Sequence, residues 1–177
     1  MPVDDADTSP RRVRFTERLR LEPIGAEHAH DLWVLHQDPD VAGYWGGWSR
    51  EHARTFATFC EQAWNVEGVS KWIAYDRADS SLVGRGGLSR AIVDGGLRVE
   101  VGWTLRDALR GRGFATEIGR AGIEFAFDEL DADDVVAFTE TTNLRSRAVM
   151  ERLGMTGPRP ITHNGEPFVL YVVRPAI

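Results

Sequence analysis

The sequence predicts a mixed α/β domain of α+β character. Three observations lead there: apolar alternation near period two in segments 13–23, 71–76 and 82–93, helical spacing in 26–37 and after Ser49, and strand–helix alternation from residue 98 onward. Hairpins come first and strand–helix units follow.

Taken in order, VRFTERLRLEP (13–23) spaces Phe15, Leu19 and Leu21 as a strand and stops at Pro23. AEHAHDLWVLHQ (26–37) brings Ala29, Leu32, Trp33 and His36 onto one helix face. DVAGYWGGWS (40–49) reads as a loop, and Ser49 starts a helix through EHARTFATFCEQAW. KWIAYD (71–76) and LVGRGGLSRAIV (82–93) make a hairpin turned at DRADSS, and Asp94-Gly95-Gly96 leads into a strand at 98–105. A glycine loop, a helix over about 115–129, a strand in VVAFTET (135–141), a helix over 144–153 closed by Gly154, and a last strand FVLYVV (168–173) complete the chain.

At 177 residues the chain suits one domain, placed over 13–177, with residues 1–12 as a short disordered lead rich in Asp, Ser and Pro. That start lacks the apolar core of a signal peptide, and no run approaches the ~20 apolar residues of a membrane span. Cys60 is the single cysteine, which excludes an internal disulfide and suits a reducing, cytoplasmic setting. Net charge −6 argues against a nucleic-acid surface and favours a cationic small partner. The five histidines, His28, His30, His36, His52 and His163, lack metal-ligand spacing, so no metal is expected.

LRDALRGRGFATEIGRAG (105–122) sets glycines and arginines between a strand and a helix. A loop that opens a helix presents free N–H groups and the positive end of the helix dipole, and glycines let an anion approach the backbone. The same glycines also fit a tight turn with no ligand. A nucleotide P-loop is excluded because no Lys-Ser/Thr follows. A dinucleotide loop fits poorly, because Thr116 stands at the third glycine position. The preceding strand also alternates Val99, Val101 and Trp103 with Glu100, Gly102 and Thr104, unlike a buried parallel strand.

Arg110-Gly111-Arg112-Gly113-Phe114-Ala115 resembles the Q/R-x-x-G-x-G/A signature of the GCN5-related N-acetyltransferases. FTERLRLEP resembles the opening strand of the branch typified by ribosomal-protein N-terminal acetyltransferases, VEVGWTL its fourth strand, and TNLRSRAVMERLGM its N-x-x-S…E-R-L-G-M segment. The resemblance runs from about residue 15 to 173. It implies the acyl-CoA N-acyltransferase fold, with a mostly antiparallel sheet flanked by helices and splayed between its fourth and fifth strands (VEVGWTL and VVAFTET). It also implies acetyl-coenzyme A as cosubstrate, held by Trp103, Thr104, Leu105, Arg110, Gly111, Arg112, Gly113, Phe114, Ala115, Thr116 and Asn143.

The implied reaction is direct attack of a primary amine on the thioester. Glu100 is the first choice of base through water, with Glu140 in reserve. Glu100 equally suits an ion pair with Arg98 or Arg85. Many relatives carry a tyrosine acid where this chain has Met150, and Ser146 is the residue left to serve the leaving thiol. Asn143 and Ser146 also suit an ordinary helix start. Tyr44, Trp45 and Trp48, together with Glu140, are the candidate acceptor wall, although the aromatics equally suit the core. The acceptor is expected to be a peptide N-terminus or a small cationic amine. The alternative is an inactive acyl-CoA-binding sensor, which would bind without turnover. Oligomeric state leaves no mark in the sequence, and a homodimer is the assembly considered.

Overall fold

The computed structural model describes residues 13–176, so the expected N-terminal lead lies outside the described residues. The elements are β1 (Arg14–Phe15), β2 (Leu19–Pro23), α1 (Ala29–Leu35), α2 (Pro39–Trp45), α3 (Arg50–Glu67), β3 (Lys71–Asp76), β4 (Leu82–Val93), β5 (Gly96–Leu105), α4 (Phe114–Leu130), β6 (Val135–Glu140), α5 (Leu144–Arg152), β7 (Thr156–His163) and β8 (Glu166–Val173). Short 3₁₀ turns at Ala26–His28 and Asp107–Leu109 precede α1 and the glycine loop. The strand order is β1-β2-β3-β4-β5-β6-β8-β7. Pairs β1–β2, β2–β3, β6–β8 and β7–β8 are antiparallel, and β5–β6 is parallel. This is the mixed, mostly antiparallel α/β class expected. The chain forms two compact units, one of residues up to Arg85 with Leu105–Arg110, the other of Gly86–Thr104 with the chain from Gly111 onward.

In the first unit the strand expected over 13–23 is a hairpin. Thr16 reverses the chain: its Oγ1 accepts from Leu19 N at 3.0 Å, and its N–H donates to Leu19 O at 2.9 Å. Such a hydroxyl turn competes with the strand ladder. Period-two spacing runs through the turn, which is why the sequence hides it. The helix expected over 26–37 shortens to a 3₁₀ turn plus α1, which ends before His36.

The loop expected at 40–49 is a helix in its first half. Asp38 caps α2 by accepting from Asp40 N at 3.1 Å, and Pro39 takes the first helical position, where its missing N–H costs nothing. Ser49 caps α3 as expected, accepting from His52 N at 3.0 Å, and Gly68 ends that helix in the left-handed region. The core of this unit gathers Ile24 and Ile73 from the strands with Leu32, Trp48, Ala53, Ala57 and Cys60 from the helical side.

In the second unit Asp94 and Gly95, both at positive φ, turn β4 into β5. α4 buries Phe114, Ile118, Gly119, Gly122, Ile123, Phe125 and Ala126, a stripe at helical spacing. Its glycines permit unusually close packing. A Cβ on Gly119 would stand 2.6 Å from Leu153 Cδ1 and 3.2 Å from Trp103 Cζ3, and one on Gly122 would meet Val101 Cγ2 at 3.0 Å. β4 answers with Gly86, where a Cβ would come within 2.5 Å of Ile118 Cγ2 and 2.7 Å of Gly102 O.

β7, which carries Gly157, Pro158 and Pro160, has no strand signature in its residues. The strand is possible because it lies at the end of the order, beside β8 alone, where a missing N–H breaks no second ladder. Gly86→Ala should lower the unfolding free energy by about 1–3 kcal/mol, the usual cost of overpacking. The urea midpoint measures this, and an unchanged midpoint would refute close packing at this glycine.

Candidate active site

The glycine loop takes its form from two left-handed residues. Gly111 has φ +73° and Gly113 φ +84°, a region that L side chains rarely enter. Gly113 is the N-cap of α4 and has no side chain to accept from the first turn. The first intrahelical bond runs from Glu117 N to Gly113 O at 3.0 Å. Phe114 is buried and anchors the helix start, while Gly111, Arg112 and Gly113 stay exposed. The Arg112 guanidinium lies 5.2 Å from the Phe114 ring centroid, and Thr116 Oγ1 accepts from Arg152 Nε at 3.3 Å. An uncapped helix start beside Arg112 is a place for an anion.

The stretch leading to the loop belongs to the first unit. Asp107 N donates to Asp38 Oδ2 at 3.0 Å, so the residue that caps α2 also holds this segment. Arg110 pairs with Asp40 and, at 3.1 Å, with Asp107. The structure therefore engages Arg110 with carboxylates. Leu105, the other cofactor candidate in this unit, is buried.

In the second unit β5 and β6 share one register pair, Glu100 with Val136, after which β6 continues along β8 from Val135 to Glu140. The expected parting of the VEVGWTL and VVAFTET strands is present. Glu100 sits at the last shared position, half-buried, and accepts from Ser89 Oγ at 2.6 Å. Arg98 forks onto Asp134 at 2.7 and 3.3 Å. Beyond Glu100 lie Trp103, half-buried, and Thr104, buried. Glu140 is exposed at the end of β6.

Asn143 caps α5: Oδ1 accepts from Ser146 N at 3.2 Å, and Nδ2 donates to Thr139 Oγ1 at 3.0 Å. The ordinary helix-start role is thus filled by Asn143 alone. The Ser146 hydroxyl, half-buried in the first turn, has no partner among the described residues. Met150 is buried.

The three aromatics expected at the acceptor wall separate. Tyr44 and Trp45 end α2 at 46% and 49% exposure with their rings edge to face, whereas Trp48 is a buried core residue. Trp48 is stacked between His36 (centroids 3.4 Å, 6° between planes) and His52 (4.5 Å, 7°). Sequence reasoning missed that Arg85 reaches this stack, donating from Nε to His36 Nε2 at 3.3 Å. No local pattern joins residues that lie 49 positions apart. Burial first, then the neighbouring Arg85 and His52 charges, hold the His36 imidazole down to about 3.

Among the described residues, no group of three or more His, Cys, Asp or Glu side chains is arranged to hold a metal ion. No helix there is long and apolar enough to cross a membrane.

Comparison with known proteins adds an independent line. The model of the acetyltransferase (GNAT) domain matches residues 18–156. YkkB of Bacillus subtilis, an uncharacterised protein, is 27% identical over 158 residues, 88% of this chain and 92% of that one. The FsC-acetyl coenzyme A-N(2)-transacetylase of Aspergillus fumigatus is 30% identical over 151 residues, 80% of this chain and 63% of that longer protein. The solved structure of RimL, a ribosomal L7/L12 α-N-protein acetyltransferase in complex with coenzyme A, superposes with a TM-score of 0.74 at 16% identity, over 92% of this chain and 98% of that one. The loop geometry, the single-pair contact of β5 with β6 and the match over 18–156 agree: the chain belongs to the GNAT acetyltransferase family, whose acyl donor is acetyl-coenzyme A, and resembles its ribosomal-protein acetyltransferase branch.

Proposed function

We propose that the protein transfers the acetyl group of acetyl-coenzyme A to a primary amine, either a peptide or protein N-terminus or a small amine that is cationic at neutral pH. The observation that supports this best is the start of α4. There, Gly113 at φ +84° leaves the helix N-terminus without a side-chain cap. A pyrophosphate fits a backbone donor site of this kind, and a Cβ added at neighbouring Gly111 meets nothing within 4 Å. In this reading Gly111 to Thr116 hold the pyrophosphate, Arg112 supplies charge, and Trp103, Thr104, Leu105 and Asn143 contact the pantetheine arm. The donor supplies an activated acetyl thioester.

Attack requires a neutral amine. An α-amine of pKa ~8 is roughly a tenth free base at neutral pH, and a lysine amine far less. Glu100 takes the ammonium proton through a water, with Glu140 in reserve. The new C–N bond forms as the carbonyl oxygen gains charge, which a β5 backbone N–H stabilises. The C–S bond then breaks. The thiolate, of pKa ~8.5, leaves unaided or takes a proton from Ser146, whose hydroxyl is restored by the second proton that the new amide nitrogen gives up. Tyr44 and Trp45, exposed on α2, form the acceptor wall, and the reaction runs in the cytoplasm.

Gly113→Val should weaken acetyl-coenzyme A binding by about 100-fold or more, since it removes close backbone approach to the pyrophosphate. The strain of a branched residue at positive φ costs about 1–2 kcal/mol, within the stability of an ordinary domain. Calorimetric titration beside circular dichroism reads both, and unchanged affinity would sink the phosphate-loop assignment.

Glu100→Gln should lower kcat by about tenfold or more at acidic pH. The loss should shrink as pH nears the pKa of the amine, because the free base then needs less help. A flat ratio of rates across pH would remove Glu100 as base.

Ser146→Ala should reduce kcat by about tenfold and leave the melting temperature unchanged, because Asn143 caps the backbone and the hydroxyl has no partner among the described residues. Full activity would reduce Ser146 to a helix-start residue. Release of free coenzyme A across a panel of peptides, polyamines and aminoglycosides tests the reaction itself. Binding without release with every amine would favour a sensor.

A further inference from the structure

β4 opens with Leu82-Val83-Gly84-Arg85-Gly86-Gly87, one long cationic side chain among glycines. Arg85 is 6% exposed, an uncommon place for a charge. Its guanidinium carbon lies 5.2, 5.5 and 4.9 Å from the ring centroids of Trp45, Trp48 and Phe56, and its Nε donates to His36 Nε2. These rings attract a cation through their faces, and two of them belong to the segment that ends α2 and enters α3.

His36 fixes the polarity of this cluster. Its imidazole is fully buried and neutral at working pH. Because Nε2 accepts from Arg85, the ring proton resides on Nδ1, a buried polar atom without a hydrogen-bond partner. The guanidinium thus lies beside a neutral imidazole and faces the ring of Trp45, which is 49% exposed. An acceptor carrying only positive charge would bring like charge toward a weakly screened cation. A planar fork of N–H donors suits a carboxylate, which can accept two of them at once.

We propose that Arg85 is a specificity-determining residue that receives a carboxylate of the acceptor. The acceptor is then an amine that also bears a carboxylate, as a free amino acid does, and Trp45 is the half-exposed cover over the guanidinium. This rests on the acyl-transfer reading for the statement that the bound molecule is the acceptor. It also narrows the inference drawn from net charge alone: the overall charge of −6 draws in the ammonium end, and Arg85 sorts for an anion at the other end.

The test is binding of L-amino acids and their α-amides to the full chain without acetyl-coenzyme A, followed by tryptophan fluorescence. At least one free acid should bind about tenfold or more tightly than its amide, the weight of one charge-assisted hydrogen bond. Arg85→Gln should abolish that preference, and Arg85→Lys, which keeps the charge but not the fork, should reduce it. A purely structural Arg85 would change melting temperature without changing the acid-to-amide ratio. If Arg85→Gln does not fold, the wild-type ratio and Arg85→Lys decide. Equal binding of acids and amides, no saturation by any free acid at millimolar concentration, or a preference that survives substitution of Arg85 would overturn the proposal. Absence of coenzyme A release with every amine counts against the acyl-transfer reading alone, because the binding comparison needs no turnover.

Discussion

The parallel contact of β5 with β6 at the Glu100–Val136 pair is the constraint on which the second unit depends. Parallel neighbours need a crossover, and α4 supplies it. A crossover helix must lie close to the strands it joins, which explains the glycines. Gly119 and Gly122 lower one surface, Gly86 lowers the other, and Trp103 and Val101 fill the space between. The start of α4 is consequently fixed just beyond β5.

The first unit contributes a different kind of order. Asp38 caps α2 and holds the Asp107 amide, and Arg110 ties the same segment to Asp40. Surface ion pairs of this sort are individually weak. Here several of them act together on one short stretch of this unit, Leu105–Arg110. In the same unit, the His36–Trp48–His52 stack and Arg85 form a buried aromatic and cationic cluster.

Much of this was readable in the residues where one local cause acts. Ser49, Gly113 and Gly154 each perform a task that only a few residue types can do, and the helices begin or end where they stand. Other features escaped because two causes share one pattern. The period-two spacing of Phe15, Leu19 and Leu21 does not reveal that Thr16 folds the chain back between them. Tyr44 and Trp45 among glycines look like a loop, although Asp38-Pro39 already marks a helix start. At the site, Asn143 fits a cap and a ligand contact equally well in sequence, and its geometry fills the cap. The Arg85–His36 bond depends on tertiary packing across distant segments and has no sequence signature.

The two outermost strands have a consequence for how copies of this protein meet. β1 is two residues long, and β7 carries Pro158 and Pro160. A sheet rim recruits a foreign strand by offering an unbroken row of amide donors, and neither rim does so. Among the described residues, both rims therefore discourage growth of the sheet from molecule to molecule. The prolines that hid β7 from the sequence reading are also what keep it from becoming a seed for aggregation.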